Sequence, residues 1–446
     1  MQPSVNPMLY NDEEFEKFRY RCDPDIDTIA LTVMEVLNRD ELFQIMGTIQ
    51  KNSDPASFAG LKNVDLKKGV SIQSDVETFL APYRKVLEIY FGDTIFKFTP
   101  EEKECLRKAS ILFNTHMTEC TIALAVRSLL KQYAAFKSTN VLAYTQLLPK
   151  YPYRRIISTM QFVMDVMEHN AFEPEGYGIR AIQRLRLIHA LIRIRIDVDK
   201  IRKTEGRQWN EDWGRPINQQ DMIFAVHTFS VEVLHGLIAS GEKISEEDKQ
   251  NYYYAWHIIG KALGVQDEIN PSDYKIGVQV QERIYAKEFI RDNPNGPLLA
   301  EPLINFMVAV LPLAKRKGVY GIVKLFNDKK DYEPIFRDIL KLDLSEASSF
   351  FTAMYKTQDW VRHTLIKVKY FFMPNAKRSD YLADIAKNQH KLFEAIMSVA
   401  KTWSGSHFRM YDGFGTEAAE AHDAAEAAMP LWKRAIKYFF PSWKIS

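Results

Sequence analysis

Residues 184–194 read RLRLIHALIRI, and around them Ile179, Ile182, Leu185, Ile188, Ile192 and Ile196 recur at steps of three and four. An α-helix completes a turn in 3.6 residues, so this spacing lays the six side chains along one stripe and predicts a helix near 179–203. Within the stripe sits His189, with Arg186 three residues before it and Arg193 four after. Both guanidinium groups therefore emerge on or beside the histidine's face, one turn below and one turn above. A buried imidazole needs a hydrogen-bond or metal partner, and buried cations need anions. The residue pattern leaves His189 open between a satisfied core histidine and a ligand.

Working outward, helical periodicity dominates and strand-like alternation is rare, which predicts an all-α fold. Thr99-Pro100-Glu101-Glu102 offers an N-cap with proline at the first helical position, and Ser245-Glu246-Glu247-Asp248 resembles a capping box. Helices are expected to begin near 100 and 246, the second ending at Gly264 and Pro271. Further helices are expected near 153–168 and 218–240. Glycine- and proline-containing breaks, among them 292–302, are too short for interdomain linkers. The expected division is a peripheral N-terminal helical region over 1–90, a main helical domain over 91–380, and C-terminal helices over 381–446 packed on the same domain. Glu417–Ala428 reads as an ordinary alanine-rich helix.

Composition narrows the function. The 446 residues are 46% apolar, enough to bury a large core, and 59 basic residues nearly cancel 57 acidic ones. No global field recruits nucleic acid or an acidic membrane. The cysteines, Cys22, Cys105 and Cys120, are odd in number and far apart, which fits a reducing compartment. No CxxCH motif for covalent haem occurs. The N-terminus lacks a secretion pattern, so cytoplasmic residence is the expectation. The longest apolar stretch, Leu298–Ala314, is interrupted by Glu301, Pro302, Asn305 and Pro312, so no transmembrane helix is expected. The C-terminal Pro430-LWKRAIKYFFPSWKI alternates basic and aromatic residues; docking on its own domain is favoured over peripheral membrane contact.

Haem would meet the demands of the histidine helix together. Its iron takes the imidazole, its propionates take guanidinium hydrogen bonds, and its macrocycle takes apolar side chains. The sequence also resembles a family that does this. RLRLIHALIR is similar to the histidine motif of the latex-clearing (rubber oxygenase) and MpaB-like oxygenases. Tyr153-RRIISTMQFVMDVM resembles their Arg-x-x-x-Thr element, matching Arg155 and Thr159. Pro216-INQQDMIFAVHTF resembles their Pro-x-Asn stretch, and Tyr252-YYAWHIIGKALGV their Trp-x-x-x-Gly-x-x-x-Gly segment, matching Trp256, Gly260 and Gly264. The four motifs stand in family order between Tyr151 and Val265.

The resemblance implies a globin-like helical haem-binding domain with peripheral helices at both ends. It implies haem b, with His189 as proximal iron ligand and Arg186 and Arg193 engaging propionates or buttressing the histidine helix. Arg155 and Thr159, four apart on one helix face, would orient dioxygen or substrate. The reaction implied is oxygen-dependent cleavage of a carbon–carbon double bond in an apolar isoprenoid or lipid. A non-catalytic haem carrier or sensor is the alternative. Two positions depart from the rubber-cleaving pattern. Ser158 stands where a lysine precedes the threonine, and Lys131-Gln132 where an acid precedes the Tyr-Ala-Ala run, so polyisoprene is not implied as substrate.

Other chemistries find less support. Glu232-x-x-His235 is half of a di-iron carboxylate site, but no other histidine has glutamate three positions before it. His227 and His235 are two helical turns apart, and His257 reads as capping a buried polar group. A Gly-x-Ser-x-Gly elbow and a phosphate-cradling glycine loop are both missing.

Overall fold

The computed structural model describes residues 11–36, 97–145, 152–173, 176–201, 209–311, 315–350, 352–357 and 384–391. The expected boundaries at 90 and 380, the alanine-rich 417–428 stretch and the aromatic–basic C-terminus lie outside them. Among the described residues there is no strand, only one isolated bridge between Ala135 and Phe289.

Fourteen α-helices build the body, with further helical residues at 352–357 and 384–391. The fourteen are α1 (Asp12–Lys17), α2 (Pro24–Val36), α3 (Pro100–Thr115), α4 (Met117–Ala123), α5 (Leu129–Ala134), α6 (Phe136–Thr145), α7 (Pro152–Met167), α8 (Gly178–Ile201), α9 (Gln219–Phe229), α10 (Val231–Ser240), α11 (Glu246–Ala262), α12 (Tyr274–Glu288), α13 (Asn295–Val310) and α14 (Lys315–Phe326). A π-helical turn, Leu124–Ser128, joins α4 to α5, and another, Tyr332–Arg337, follows α14.

Caps fall where the sequence placed them. Thr99 accepts from the Glu102 amide while Glu102 returns a carboxylate to the Thr99 amide, a complete capping box at the start of α3. Ser245 caps α11, and Gly264 at φ +93° ends it. The break expected over 292–302 is instead the opening of α13, which starts at Asn295 and carries Pro302 inside it. The expected 218–240 helix is broken at Ser230, which separates α9 from α10.

α8 is more deeply set than a one-stripe helix. Ile182, Ile188 and Ile196 are buried as the periodicity implied, but so are Leu187, Ala190, Leu191 and Ile194 on other faces, and Ile179, Leu185 and Ile192 are only half-buried. The helix runs between neighbours: α2 packs along one side and α7 along another. The N-terminal helices are built into this body, with Phe15 and Phe18 wholly enclosed in the core and Arg19 paired with the buried Glu288. One segment, Gln219–Ser240, has the length and apolarity to cross a membrane, but 72% of its most apolar window is buried inside the fold, as in a core helix.

Candidate functional site

The site is assembled from α5, α7 and α8. On α8, His189 is half-buried, with its Nδ1 enclosed, and no hydrogen bond joins the ring to any described residue. Burial, then the positive charges of Arg193 and Arg155, pull its pKa down to about 3. The imidazole is therefore neutral at physiological pH, with a lone pair unspent on the protein.

On α7, Arg155 lies within electrostatic reach of both His189 and the Tyr133 phenol of α5. Burial lowers its pKa, and Tyr133 is the group that counters this. No hydrogen bond or ion pair ties its guanidinium to a described residue. Burial pushes the Tyr133 hydroxyl well above its usual range, so it stays a protonated donor. One turn along α7, Thr159 donates to the Arg155 carbonyl at 3.1 Å, a helix back-bond that leaves the hydroxyl oxygen free to accept. Ser158 is exposed.

Arg186 and Arg193 have a different setting. Arg186 forms a bidentate pair with Asp23 (Nε–Oδ2 2.5 Å, Nη2–Oδ1 2.7 Å), and Arg193 clasps Asp27 Oδ1 from Nε and Nη2 at 2.8 and 2.6 Å. Asp23 and Asp27 lie four residues apart around the start of α2, spaced to meet cations two turns apart on α8. The anions that the two arginines require thus come from the chain, and they strap α2 onto the histidine helix. Arg193 also donates to the Ile217 carbonyl at 3.3 Å, holding a residue at φ +51° just ahead of the Asn218 cap of α9. The Pro-x-Asn element is in this way tied to the histidine helix.

The Trp-x-x-x-Gly-x-x-x-Gly element serves close packing. A Cβ on Gly260 would lie 3.1 Å from Val226, and one on Gly264 would lie 2.0 Å from the Asp23 carboxylate and 3.0 Å from Arg186 Nε. Trp256 is fully buried, stacked on Phe229 at 5.1 Å. His257 stacks on Tyr254, and its backbone carbonyl accepts from Asn270.

The other histidines singled out in the sequence have protein settings of their own. Tyr253 donates its hydroxyl to the Pro271 carbonyl at 2.9 Å, so at 3.1 Å from His227 Nε2 it accepts the ring proton, fixing that tautomer. Glu232 is held by Arg127 at 2.7 Å and Lys131 at 3.4 Å, with His235 at 3.9 Å. Burial alone would raise the Glu232 pKa, but Lys131 and Arg127 hold it well below the carboxylate range. A carboxylate spent on two cations is not a di-iron ligand, and no cluster of three metal-binding side chains occurs among the described residues. Sequence reasoning missed Tyr133, Asp23 and Asp27. The i, i+4 spacing of the aspartates was legible, but which helix they faced was not.

Comparison with known proteins follows the same segment. Residues 116–322 match the family model of the ER-bound oxygenase mpaB/B'/rubber oxygenase catalytic domain, extending beyond the four motifs on both sides. The chain is 24% identical over 170 residues to a rubber oxygenase from Streptomyces sp. (strain K30), a match spanning 37% of this chain and 40% of that protein's length. In three dimensions it resembles a latex clearing protein in the closed state, with TM-score 0.53 and 14% identity, covering 88% of this chain and 92% of the other. Motif order, domain match and shared helical architecture converge: residues 116–322 of this chain are similar to the catalytic domain of the latex-clearing and MpaB-like oxygenases.

Proposed function

We propose that the chain is a haem b-dependent oxygenase that cleaves a carbon–carbon double bond in an apolar isoprenoid or lipid. The observation that carries this reading is the His189 ring, enclosed at Nδ1, neutral, and without a protein partner. Nε2, the ring nitrogen that is not enclosed, also meets no described partner and is the one open to a metal. Arg155, a half-buried cation with no carboxylate partner among the described residues, adds a second demand for an anion near it. These residues fit haem.

His189 would hold the iron, and its depressed pKa keeps protons from competing for the lone pair. When bound, haem supplies the redox-active iron that makes dioxygen reactive toward a double bond; one dioxygen and one such bond yield two carbonyl groups. Arg155 would attract a propionate or a polarised oxygen, and Tyr133 can donate a hydrogen bond beside it. Thr159, its proton committed to the helix, can only accept there. Arg186 and Arg193, satisfied by Asp23 and Asp27, act as buttresses of the histidine helix.

Among the described residues no carboxylate is among the charges acting on His189 or Arg155, and an attack that needs no allylic proton abstraction fits that setting. Lys131, where rubber-cleaving relatives are expected to carry an acid, is committed to Asp331 at 2.8 Å. The substrate class that fits is an unsaturated isoprenoid or lipid attacked at the double bond itself.

The test is an absorption spectrum and pyridine haemochrome assay of the wild type beside His189→Ala, followed by oxygen uptake with squalene. A Soret band present in the first, absent in the second, and oxygen consumed only by the first are expected. Stoichiometric haem in the variant would reassign the ligand, and haem binding without oxygen uptake would favour the carrier reading.

A further inference from the structure

Inside the bundle, an apolar cavity with room for one molecule of about water's size lies between α3, α4, α7, α10 and α11. Met160, Val163 and Met164 line it from α7, Cys120 from α4 and Val233 from α10. All five are at most 5% exposed.

This wall has little to offer a water molecule. Nearly all of it is apolar, and among the described residues no charged side chain lines it. Its two hydroxyl groups have committed their protons to the backbone: Thr121 donates to the Met117 carbonyl at 2.7 Å, and Tyr252 to the Phe229 carbonyl at 3.3 Å. Burial pushes the Cys120 thiol well above its usual range, so it stays uncharged. A buried water is held by about two to four polar partners, whereas cavities with apolar walls take small apolar species such as xenon.

The position of the cavity matters as much as its polarity. Val163 stands four residues beyond Thr159, and Thr159 four beyond Arg155, so all three follow one stripe of α7. Four residues of helix rise about 6 Å, which sets the cavity wall one turn from the Thr159 hydroxyl. Leu124, the first residue of the π-helical turn 124–128, also lines the cavity, and such turns are frequent at functional sites.

We propose that this cavity is a docking site for dioxygen that supplies the candidate site one turn away. Dioxygen is apolar and of a size with water, so it gives up almost no hydrogen bonding on entering a wall of valine, methionine and aromatic side chains. Gas binding stands on the cavity alone; the supply role rests on the oxygenase reading above.

The test uses the full-length protein with isotope-labelled methionine methyl groups, whose spectra are recorded under rising pressures of xenon and of dioxygen, with nitrogen as the control gas. The Met160 and Met164 methyls should shift saturably with xenon and broaden with paramagnetic dioxygen, far more than those of Met222 and Met307, which are equally buried but away from the cavity. Val163→Ile and Val233→Ile each add one carbon to the wall, from different helices, and should weaken xenon binding about tenfold, the effect of one methylene in an apolar pocket. In haem-loaded protein turning over squalene, the same variants should raise the KM for oxygen about tenfold and leave kcat unchanged. A wild type without saturable xenon shifts at Met160 and Met164, or wild-type shifts in the filled variants, would overturn the docking site; if one variant does not fold, the other decides. An unchanged oxygen KM in a variant that has lost xenon would overturn the supply role. A wild type that binds xenon but never haem would remove the oxygenase reading and the supply role with it, while the gas site stands.

Discussion

Gly264→Ala is expected to destabilise the protein far more than the same change at Gly241, although both glycines end helices in the left-handed region, at φ +93° and +110°. At Gly241 a new Cβ meets nothing within 4 Å, so the cost is conformational, about 1–2 kcal/mol. At Gly264 it would lie 2.0 Å from Asp23 Oδ2 and 3.0 Å from Arg186 Nε, inside the bidentate pair. Asp23 is 6% exposed, so forcing it aside strands a largely buried guanidinium, which costs about 3–5 kcal/mol when one partner of a buried pair is lost. The total at Gly264 is about 4–7 kcal/mol on those two scales. Urea unfolding followed by circular dichroism measures the difference, and a cycle with Asp23→Ala isolates its cause: in that background Gly264→Ala should cost about as little as Gly241→Ala. If the two glycine variants fall together in the wild-type background, or if the Asp23→Ala background leaves the Gly264 cost unchanged, the strap between α2 and the histidine helix is not what the glycine protects.

Arg155→Leu should leave stability unchanged or raise it, because a half-buried cation with no described carboxylate partner is replaced by an apolar side chain, while oxygen uptake falls; melting scans of the haem-free protein and oxygen electrode rates separate the two effects. Glu232→Gln should cost about 3–5 kcal/mol by leaving Arg127 and Lys131 short of charge, and a denaturant midpoint equal to wild type would contradict the pairing. His189 and His227 are both held neutral, with folded pKa values of about 3 against an unfolded 6.5. The unfolded chain therefore binds more protons between those limits, and stability of the haem-free protein should fall as pH drops through that window, by about 1.4 kcal/mol per pH unit for each histidine. Denaturant midpoints from pH 7 to 5 should show a shallower slope in His189→Ala than in wild type; parallel slopes would mean that the ring protonates in the folded state.

The sequence by itself determined that this is a helical protein, and where several helices begin and end. The Thr99 and Ser245 caps, the three-and-four spacing around His189 and the stop at Gly264 are local signals, written within one turn and independent of the rest of the chain. It also delivered the resemblance to the latex-clearing and MpaB-like oxygenases, because four motifs in order carry more information than any one. Tertiary structure decided who meets whom. The arginines flanking His189 advertised a need for anions, and that need is equally well filled by a propionate or by aspartates some 160 residues away; only the packing of α2 along α8 selects Asp23 and Asp27. The depth of α8 was likewise hidden, since periodicity records one buried face and cannot report a second neighbour.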